Sequence, residues 1–215
     1  MRLERDRIVS TALKLLDEVG LEKLTLRRLA AELGVQAPAL YWHFRNKQEL
    51  LDAMSEAITV GEAPVLRSLG EGESWETWLA DWVRGRRRTF NSHRDGARLT
   101  AGTHPGQGTL ATVELILESL VRVGFTRTDA MTGLGTLASF LGGFVLEEQA
   151  DRERGVSGPE QFEEAVDELD AYPLLRAVLE DVGGPQSDAS FEGGVALIIA
   201  GMRARLAETT GRAGP

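Results

Sequence analysis

The stretch TLRRLAAELGVQAPALYWHFRNKQELL at residues 25–51 decides the fold of this chain. Thr25 stands before apolar residues at helical spacing and Gly34 follows the last of them, which predicts a helix of about two turns. Pro38 is tolerated only in the first turn of a helix and therefore predicts a brief second helix over about 37–44. Two short helices joined through a glycine turn are typical of a helix-turn-helix, whose second helix can enter the major groove of DNA.

Helical patterns continue on both sides of this stretch. Apolar residues at helical spacing over 8–19 end at Gly20, a residue type that commonly terminates helices. Asn46, followed three residues later by Glu49, makes a capping box for a further helix. Residues 1–47 are therefore predicted to form a three-helix DNA-binding domain of the helix-turn-helix type.

The rest of the chain also shows the period of a helix and no strand pattern of any length. Further helices are predicted over about 75–90, 107–123, 127–150, 172–182 and 188–208. The acidic segment 151–170 contains glycine and proline and is predicted to be a loop. The fold class is thus expected to be all-α, with a helical ligand-binding and dimerisation domain at 48–208 and a flexible tail at 209–215.

Composition and charge restrict the function. The chain has 215 residues, of which 42% are hydrophobic, and no cysteine, so it can bury a core but cannot form a disulfide framework. No stretch approaches the ~20 uninterrupted apolar residues of a membrane helix, and we expect a cytoplasmic protein with no membrane partner. Residues 1–47 hold nine Lys and Arg against six Asp and Glu, a net charge of +3, whereas the remainder holds 15 against 27, a net charge of -12. Only the first segment favours a polyanion such as DNA.

Two segments, LTLRRLAAELGV and APALYWHFRNKQELL, carry a specific resemblance. They resemble the signature of the tetracycline repressor (TetR) family, in which a recognition helix ends in Tyr-x-His-Phe or Tyr-Trp-His and continues into a basic Asn-Lys. GEGESW, SHRDGA and VLEEQ resemble segments of the tetracycline repressor subfamily in order and spacing, so the resemblance covers most of the chain. It implies a homodimeric repressor that binds a palindromic double-stranded DNA operator and dissociates when a small-molecule effector enters its C-terminal domain.

The resemblance also implies roles for residues of the helix-turn-helix. Arg27 matches a position at which Arg contacts a guanine edge in the tetracycline-responsive members, a contact worth ~1–3 kcal/mol of discrimination. Pro38 and Tyr41 match positions that touch bases, and Ala37 replaces a base-reading Gln, so the operator is expected to differ at that base pair. Phosphate contacts are expected from Thr25, Ala39, Trp42, His43 and Lys47.

Several effector contacts implied by the resemblance are altered in this chain. In the subfamily, tetracycline enters as a magnesium chelate. A His and a Glu hold the metal, and further His, Asn and Gln side chains hold the drug. Here Thr100 occupies the metal-binding His position, Trp82 the Asn position and Ile116 the Gln position. Of the residues that hold the metal in the subfamily, this chain keeps only the Glu, as Glu147. One carboxylate and one hydroxyl do not form a preorganised divalent site, so we expect no metal, no cofactor and a hydrophobic or amphipathic effector.

Other residues are expected to complete the effector site. Arg86 lies on the same helical stripe as three tryptophans and should project inward, where its anionic partner is either Glu147 or an acidic group of the ligand. In the related repressor a short segment reorganises on inducer binding and moves the helix that follows the recognition helix. The corresponding residues here are Thr103, His104 and Pro105. The sequence allows two roles for His104 equally well. It contacts the ligand or acts as a hinge, or it is simply an exposed loop residue. The remaining apolar lining is expected from Val113, Leu137, Phe140 and Phe144.

The helices predicted over 127–150 and 188–208 are more apolar than one chain would cover. Paired across a two-fold axis, they would form a four-helix interface of a homodimer, as the resemblance implies. Such a dimer would place its two recognition helices about one DNA turn apart, ~34–36 Å.

Other interpretations are open from the sequence alone. In one of them Tyr41 and Trp42 are core residues, as we expect Phe44 to be. In another the chain is an enzyme that uses His93 or His104 as acid or base with the carboxylates of residues 147–153. No HExxH, GxSxG or Walker motif is present, so we expect no enzyme. In a third the chain is a small-molecule-binding helical protein without sequence-specific DNA binding.

Overall fold

The computed structural model describes residues 4–61, 67–155 and 159–212, and within those ranges every regular element is helical. This confirms the all-α prediction. The first helices are α1 (Arg5–Val19), α2 (Leu26–Glu32), α3 (Ala37–Leu40) and α4 (Lys47–Glu56), and α4 continues as a π-helical turn over Ala57–Gly61. The later helices are α5 (Trp75–Asn91), α6 (Gly96–Ala101), α7 (Gln107–Val123), α8 (Arg127–Arg154), α9 (Pro159–Asp167), α10 (Pro173–Val182) and α11 (Asp188–Arg212).

Local hydrogen bonds explain where the helices of the helix-turn-helix begin. The Thr25 hydroxyl accepts the Arg28 amide at 3.2 Å and caps α2, and Asn46 Oδ1 accepts the Glu49 amide at 2.9 Å and caps α4. Both caps confirm the sequence prediction, and each is worth about 1 kcal/mol. Pro38 lies in the first turn of α3, where its missing N–H would have no helical partner.

One apolar core holds α1 to α4 together. Its fully buried members include Ile8, Ala12, Leu16, Leu29, Leu40, Phe44, Leu50, Met54 and Ile58. Because α2 and α3 are too short to be stable alone, packing on this core keeps them helical. The turn between them requires Gly34, whose φ of 68° lies in the left-handed region. The core therefore fixes how α3 is presented.

The chain divides into two compact units, each of which is discontinuous in sequence. The first unit contains residues 1–71 and 84–116, and the second contains residues 72–83 and 117–215. Helices α1 to α4 and α6 therefore belong to the first unit, and α8 to α11 belong to the second.

In the second unit α8 packs against α11. The Thr126 hydroxyl accepts the Asp129 amide at 3.0 Å and caps α8, and Asp129 pairs with Arg205 of α11 at 3.0 Å. The hydrogen bond from the Thr126 hydroxyl and the contact with Arg205 lower the pKa of Asp129. Alone among the described helices, α8 is long and apolar enough to cross a membrane by length and composition. Core helices meet the same criteria, and α8 buries Leu134 and Leu137.

The segment 151–170 differs from the prediction of a loop. Helix α8 continues to Arg154, and α9 occupies Pro159–Asp167. Acidic residues dominate the composition of α9, but Phe162 and Val166 are one helical turn apart, and Val166 is buried. A narrow apolar stripe is enough to form a short helix once it can pack on a neighbouring surface.

Two helix ends also differ from the prediction. Helix α11 runs to Arg212, so residues 209–212 belong to a helix rather than to a tail. Helix α3 was predicted over about 37–44 and ends at Leu40, although the Phe44 amide still donates to the Leu40 carbonyl at 2.9 Å. The chain after α3 therefore continues as a hydrogen-bonded turn.

Candidate DNA interface and effector residues

Two aromatic side chains stand at the surface directly after α3. Tyr41 exposes 55% of its surface and Trp42 exposes 90%, whereas Phe44 exposes 1%. The interpretation that places Tyr41 and Trp42 in the core is wrong, because of this run only Phe44 packs inward, as predicted. Large aromatic side chains are usually covered, so an exposed pair indicates a surface that meets a partner.

The predicted DNA-contacting residues surround the starts of three helices. Thr25, Arg27, Pro38, Tyr41 and Trp42 are exposed, and Ala37, Ala39, His43 and Lys47 are partly exposed. Lys47 is the first residue of α4. The free amides at a helix N-terminus favour an anion, so this end of α4 suits a DNA phosphate.

Arg5 of α1 holds the turn that follows α3, a role that the sequence analysis did not predict. Its guanidinium lies 4.3 Å from the centroid of the Phe44 ring and donates to the His43 carbonyl at 2.8 Å and to Glu49 Oε1 at 3.4 Å. Glu49 also accepts the Arg45 amide at 2.8 Å. The Arg45 amide, together with Arg5, lowers the pKa of Glu49 and so keeps it ionised. These contacts fix the chain between α3 and α4.

One face of α4 holds the segment that the resemblance associates with the effector response. Gln48, Asp52 and Glu56 follow one another at four-residue spacing, and we call these three residues the α4 clamp. The Gln48 amide donates to the Gly102 carbonyl at 2.9 Å, and Asp52 accepts the His104 amide at 3.1 Å. His104 Nδ1 lies 3.5 Å from Asp52 Oδ2. Burial raises the pKa of Asp52, but the hydrogen bonds from Gln48 and His104 outweigh burial and lower it.

Glu56, the last residue of the α4 clamp, holds the start of α7. Its Oε1 accepts the Gly108 amide at 2.6 Å, and its Oε2 accepts the Thr109 hydroxyl at 2.5 Å. A carboxylate at this end of a helix is also stabilised by the helix dipole. A Cβ added at Gly106 would lie 2.5 Å from the Glu56 carboxyl carbon, so any other residue there would displace the Glu56 carboxylate. The contact between Glu56 and α7 thus depends on the close approach of the backbone at Gly106 to the Glu56 carboxylate.

Arg86 is buried, with 6% of its surface exposed, although it carries a charge. Its guanidinium donates a hydrogen bond to the Thr59 carbonyl. Burial lowers the pKa of Arg86, and the negative charge of Glu56 opposes this effect. The sequence pattern offers Glu147 or an acidic group of the ligand as the partner of Arg86, whereas the negative charge that acts on Arg86 here belongs to Glu56.

The other predicted effector residues of the first unit differ in exposure. Ile116 is buried, Thr100, Thr103 and Val113 are partly buried, and His104 and Pro105 are exposed. The Thr100 hydroxyl shares its hydrogen bond between the Gly96 and Ala97 carbonyls at 3.1 Å and 3.0 Å. This hydroxyl is thus bound to its own helix. Among the described residues, no group of three or more His, Cys, Asp or Glu side chains is placed to hold a metal ion.

In the second unit an aromatic cluster contains two of the predicted effector residues. Phe140 and Phe144 lie 5.5 Å apart, and Phe191 of α11 lies 5.7 Å and 5.1 Å from them, between ring centroids. Leu137 is buried, Trp82 is partly buried and Glu147 is exposed. Phe191 was not predicted, although its position one turn before the apolar Val195 marks the buried face of α11. Such a cluster offers aromatic ring faces and edges for packing.

A helix-turn-helix that presents exposed aromatic residues, followed by a larger set of helices, defines the class of DNA-binding transcriptional regulators. Residues 8–54 match the family model "Bacterial regulatory proteins, tetR family", and residues 69–206 match the model "Tetracyclin repressor-like, C-terminal domain". The chain therefore belongs to the TetR family of ligand-responsive transcriptional repressors, which confirms the resemblance.

Similarity to individual family members extends over nearly the whole chain. The tetracycline repressor protein class A from transposon 1721 of Escherichia coli is 42% identical over 207 residues, 95% of this chain and 92% of the relative. ActR of Streptomyces coelicolor, solved in complex with actinorhodin, is 32% identical with a TM-score of 0.81 and coverage of 95% of this chain and 98% of that chain. Class A TetR, solved with 5a,6-anhydrotetracycline and magnesium, is 37% identical with a TM-score of 0.71 and coverage of 94% and 99%.

Proposed function

We propose that this repressor acts as a homodimer that binds a palindromic DNA operator through the turn after α3 and the starts of α2 to α4. A small-molecule effector that binds in the C-terminal domain releases it. The observation that carries this proposal is the 90% exposure of Trp42 beside the exposed Tyr41. DNA is the partner that a basic segment of this kind attracts.

We assign DNA binding to the domain formed by residues 1–47, and effector binding and dimerisation to the domain formed by residues 48–208. The family models that match 8–54 and 69–206 support this division. The relatives are transcriptional regulators, so we expect no catalytic activity, and we expect the protein in the cytoplasm with its operator.

Footprinting on the promoter next to its own gene tests the proposal. We expect protection of a discrete palindrome whose half-sites lie about one helical turn apart. The alternative function, a small-molecule-binding helical protein without sequence-specific DNA binding, predicts uniform weak protection that disappears with modest salt. Uniform protection would therefore exclude the operator.

The proposed dimer interface uses α8 and α11. Leu197 of α11 exposes 76% of its surface, and Met131 and Leu146 of α8 expose 53% and 41%. A Cβ added at Gly142 or Gly143 of α8 would meet nothing within 4 Å, so a neighbouring helix can approach there. Exposed apolar side chains beside small residues are typical of a helix-pair interface between two copies.

Replacing Leu197 by Glu is expected to convert the dimer into monomers, because two charges would face each other across the two-fold axis. Sedimentation velocity at micromolar protein measures the change, and operator affinity should fall with it. Leu110→Glu in α7, at a leucine that exposes 48% of its surface, is the matched control and should leave the dimer intact. A Leu197→Glu protein that stays dimeric would place the interface elsewhere.

We propose a hydrophobic or amphipathic natural product as the effector rather than magnesium-bound tetracycline. The Thr100 hydroxyl is bound to its own helix, and it supplies no imidazole. The Phe140, Phe144 and Phe191 cluster favours an apolar, ring-containing ligand. The complex of the related ActR with actinorhodin supports an effector other than a tetracycline in this fold.

Tetracycline with magnesium is expected to leave the operator complex intact at micromolar drug. The reason is that Thr100 replaces the imidazole that would ligate the metal, and carboxylate with water alone holds Mg²⁺ weakly. Anisotropy of a labelled operator fragment measures release, and the class A repressor is the positive control. Release of this chain at micromolar drug would show that Thr100 and Trp82 do not exclude the chelate.

A further inference from the structure

A cleft of about 780 Å³ lies in the first unit, between α1, α4, the π-helical turn and residues 104–106. Its volume is in the range of small-molecule pockets, roughly 300–1,000 Å³. The apolar side chains that line it are Val9, Leu13, Ala53, Ala57, Val60 and Pro105. Of all the lining residues, His104 and Pro105 are among the expected effector residues, and the side chains of α1 and α4 that form the rest of the cleft are not.

The polar lining of the cleft is predominantly acidic. Four carboxylates reach it, from Asp6, Glu49, Asp52 and Glu56, and among the lining residues that the structure describes Arg5 is the only Arg or Lys. The pKa values of Glu49 and Asp52 are lowered, so both are ionised at neutral pH. The carboxylates and the guanidinium among the described lining residues sum to a net charge of about -3.

Asp6 differs from the other three carboxylates. Glu49 is held by Arg5, Asp52 by Gln48 and His104, and Glu56 by the start of α7. The Asp6 side chain lies exposed in the first turn of α1 and makes no hydrogen bond or ion pair with any residue in the described part of the chain. Its charge is therefore available to a bound molecule at the edge of an apolar surface.

We propose that this cleft binds a small amphipathic cation, with an apolar ring system on the α1 and α4 side chains and an ammonium group beside Asp6. An anion would be repelled by the carboxylates, and a neutral molecule would leave the charge of Asp6 without a partner among the described residues. A cation gains both apolar burial and charge complementarity. The proposal does not depend on operator recognition or on the effector site of the C-terminal domain.

Two dyes with the same xanthene ring system and opposite charge test the proposal. Cationic rhodamine 6G is expected to bind the full-length protein, in the absence of DNA, with one saturable site per chain. Anionic fluorescein is expected to bind about tenfold more weakly or worse. Fluorescence anisotropy titrations at low and high salt measure both affinities, and rhodamine 6G binding should weaken with salt because the attraction is electrostatic.

Variants of α1 locate the dye. Asp6→Lys should weaken rhodamine 6G binding about tenfold, whereas Glu18→Lys, an equal charge change on the exposed face of α1 outside the cleft, should change it less than about twofold. Ser10→Trp fills the cleft without changing the charge and should also abolish binding. Unchanged thermal transitions verify that each variant is folded. Absence of rhodamine 6G binding, equal effects of both charge variants, or undiminished binding to Ser10→Trp would each overturn the proposal.

Discussion

The Tyr41→Ala/Trp42→Ala protein is expected to lose more than about 100-fold in specific operator affinity, roughly 3 kcal/mol, while its thermal transition stays nearly unchanged. Large aromatic side chains that are exposed in the free protein and covered in the complex are the usual hot spots of an interface. Because Trp42 exposes 90% of its surface and Tyr41 exposes 55%, truncating them removes few contacts within the folded chain. Anisotropy titration of a labelled operator, paired with thermal denaturation, measures the two quantities separately.

Phe44→Ala is the matched control for this pair. Phe44 is an aromatic of the same turn, but it exposes 1% of its surface and stacks beneath Arg5. Its truncation is expected to cost about 3–5 kcal/mol of stability, and operator binding should then fail because the domain unfolds. A Tyr41→Ala/Trp42→Ala protein that loses stability to a similar extent would mean that these rings support the fold, and the proposed DNA contact would be abandoned.

The features that the sequence predicted well are those whose partners are close in the chain. The caps at Thr25 and Asn46 each bond an amide three residues later, so the residue types and their spacing reveal them. The burial of Phe44 beside exposed neighbours also follows, because the periodicity of a short helix separates an inward face from an outward one. The helix starts and the buried face of the helix-turn-helix were therefore predictable, whereas the end of α3 at Leu40 was not.

The contacts that could not be predicted from the sequence join residues that are distant in the chain. Arg5 reaches the His43 carbonyl across 38 positions, and the Gly108 amide reaches Glu56 across 52. In the sequence Arg5 is one of several alternating charges and Glu56 is an ordinary polar residue near a helix end. Nothing local distinguishes a charge that will be paired from one that will be solvated, so Glu56 was missed as the partner of Arg86.

The α4 clamp physically connects the segment from Gly102 to Thr109 with α4. The family resemblance links these two regions only by analogy. Helix α4 begins at Lys47, beside the exposed aromatic turn, and ends at Glu56 on the first turn of α7. A ten-residue helix is about 15 Å long. Along this length the three side chains of the α4 clamp bind the chain from Gly102 to Thr109. We therefore expect a shift of that segment to be transmitted along α4 to Lys47, at the end proposed to contact DNA.

Glu56→Ala is expected to lower the free energy of unfolding by about 3 kcal/mol, which corresponds to a fall of roughly 6–12 °C in Tm. Two effects combine. The Gly108 and Thr109 amides and the Thr109 hydroxyl lose their acceptor, and the buried guanidinium of Arg86 loses the charge that opposes its desolvation. Denaturant titration measures the loss, and Glu18→Ala, an exposed glutamate of α1, should change stability by less than about 0.5 kcal/mol.

A double-mutant cycle separates the charge effect from the hydrogen bonds. Glu56→Gln keeps one acceptor oxygen for the start of α7 but removes the charge, so its cost combines the lost charge at Arg86 with weaker contacts at α7. In the Arg86→Met background that cost should shrink by more than about 1 kcal/mol, because there is then no buried cation whose desolvation the Glu56 charge offsets. If the cost of Glu56→Gln were the same in both backgrounds, Glu56 would act on α7 alone, and the burial of Arg86 would be sustained by its other contacts.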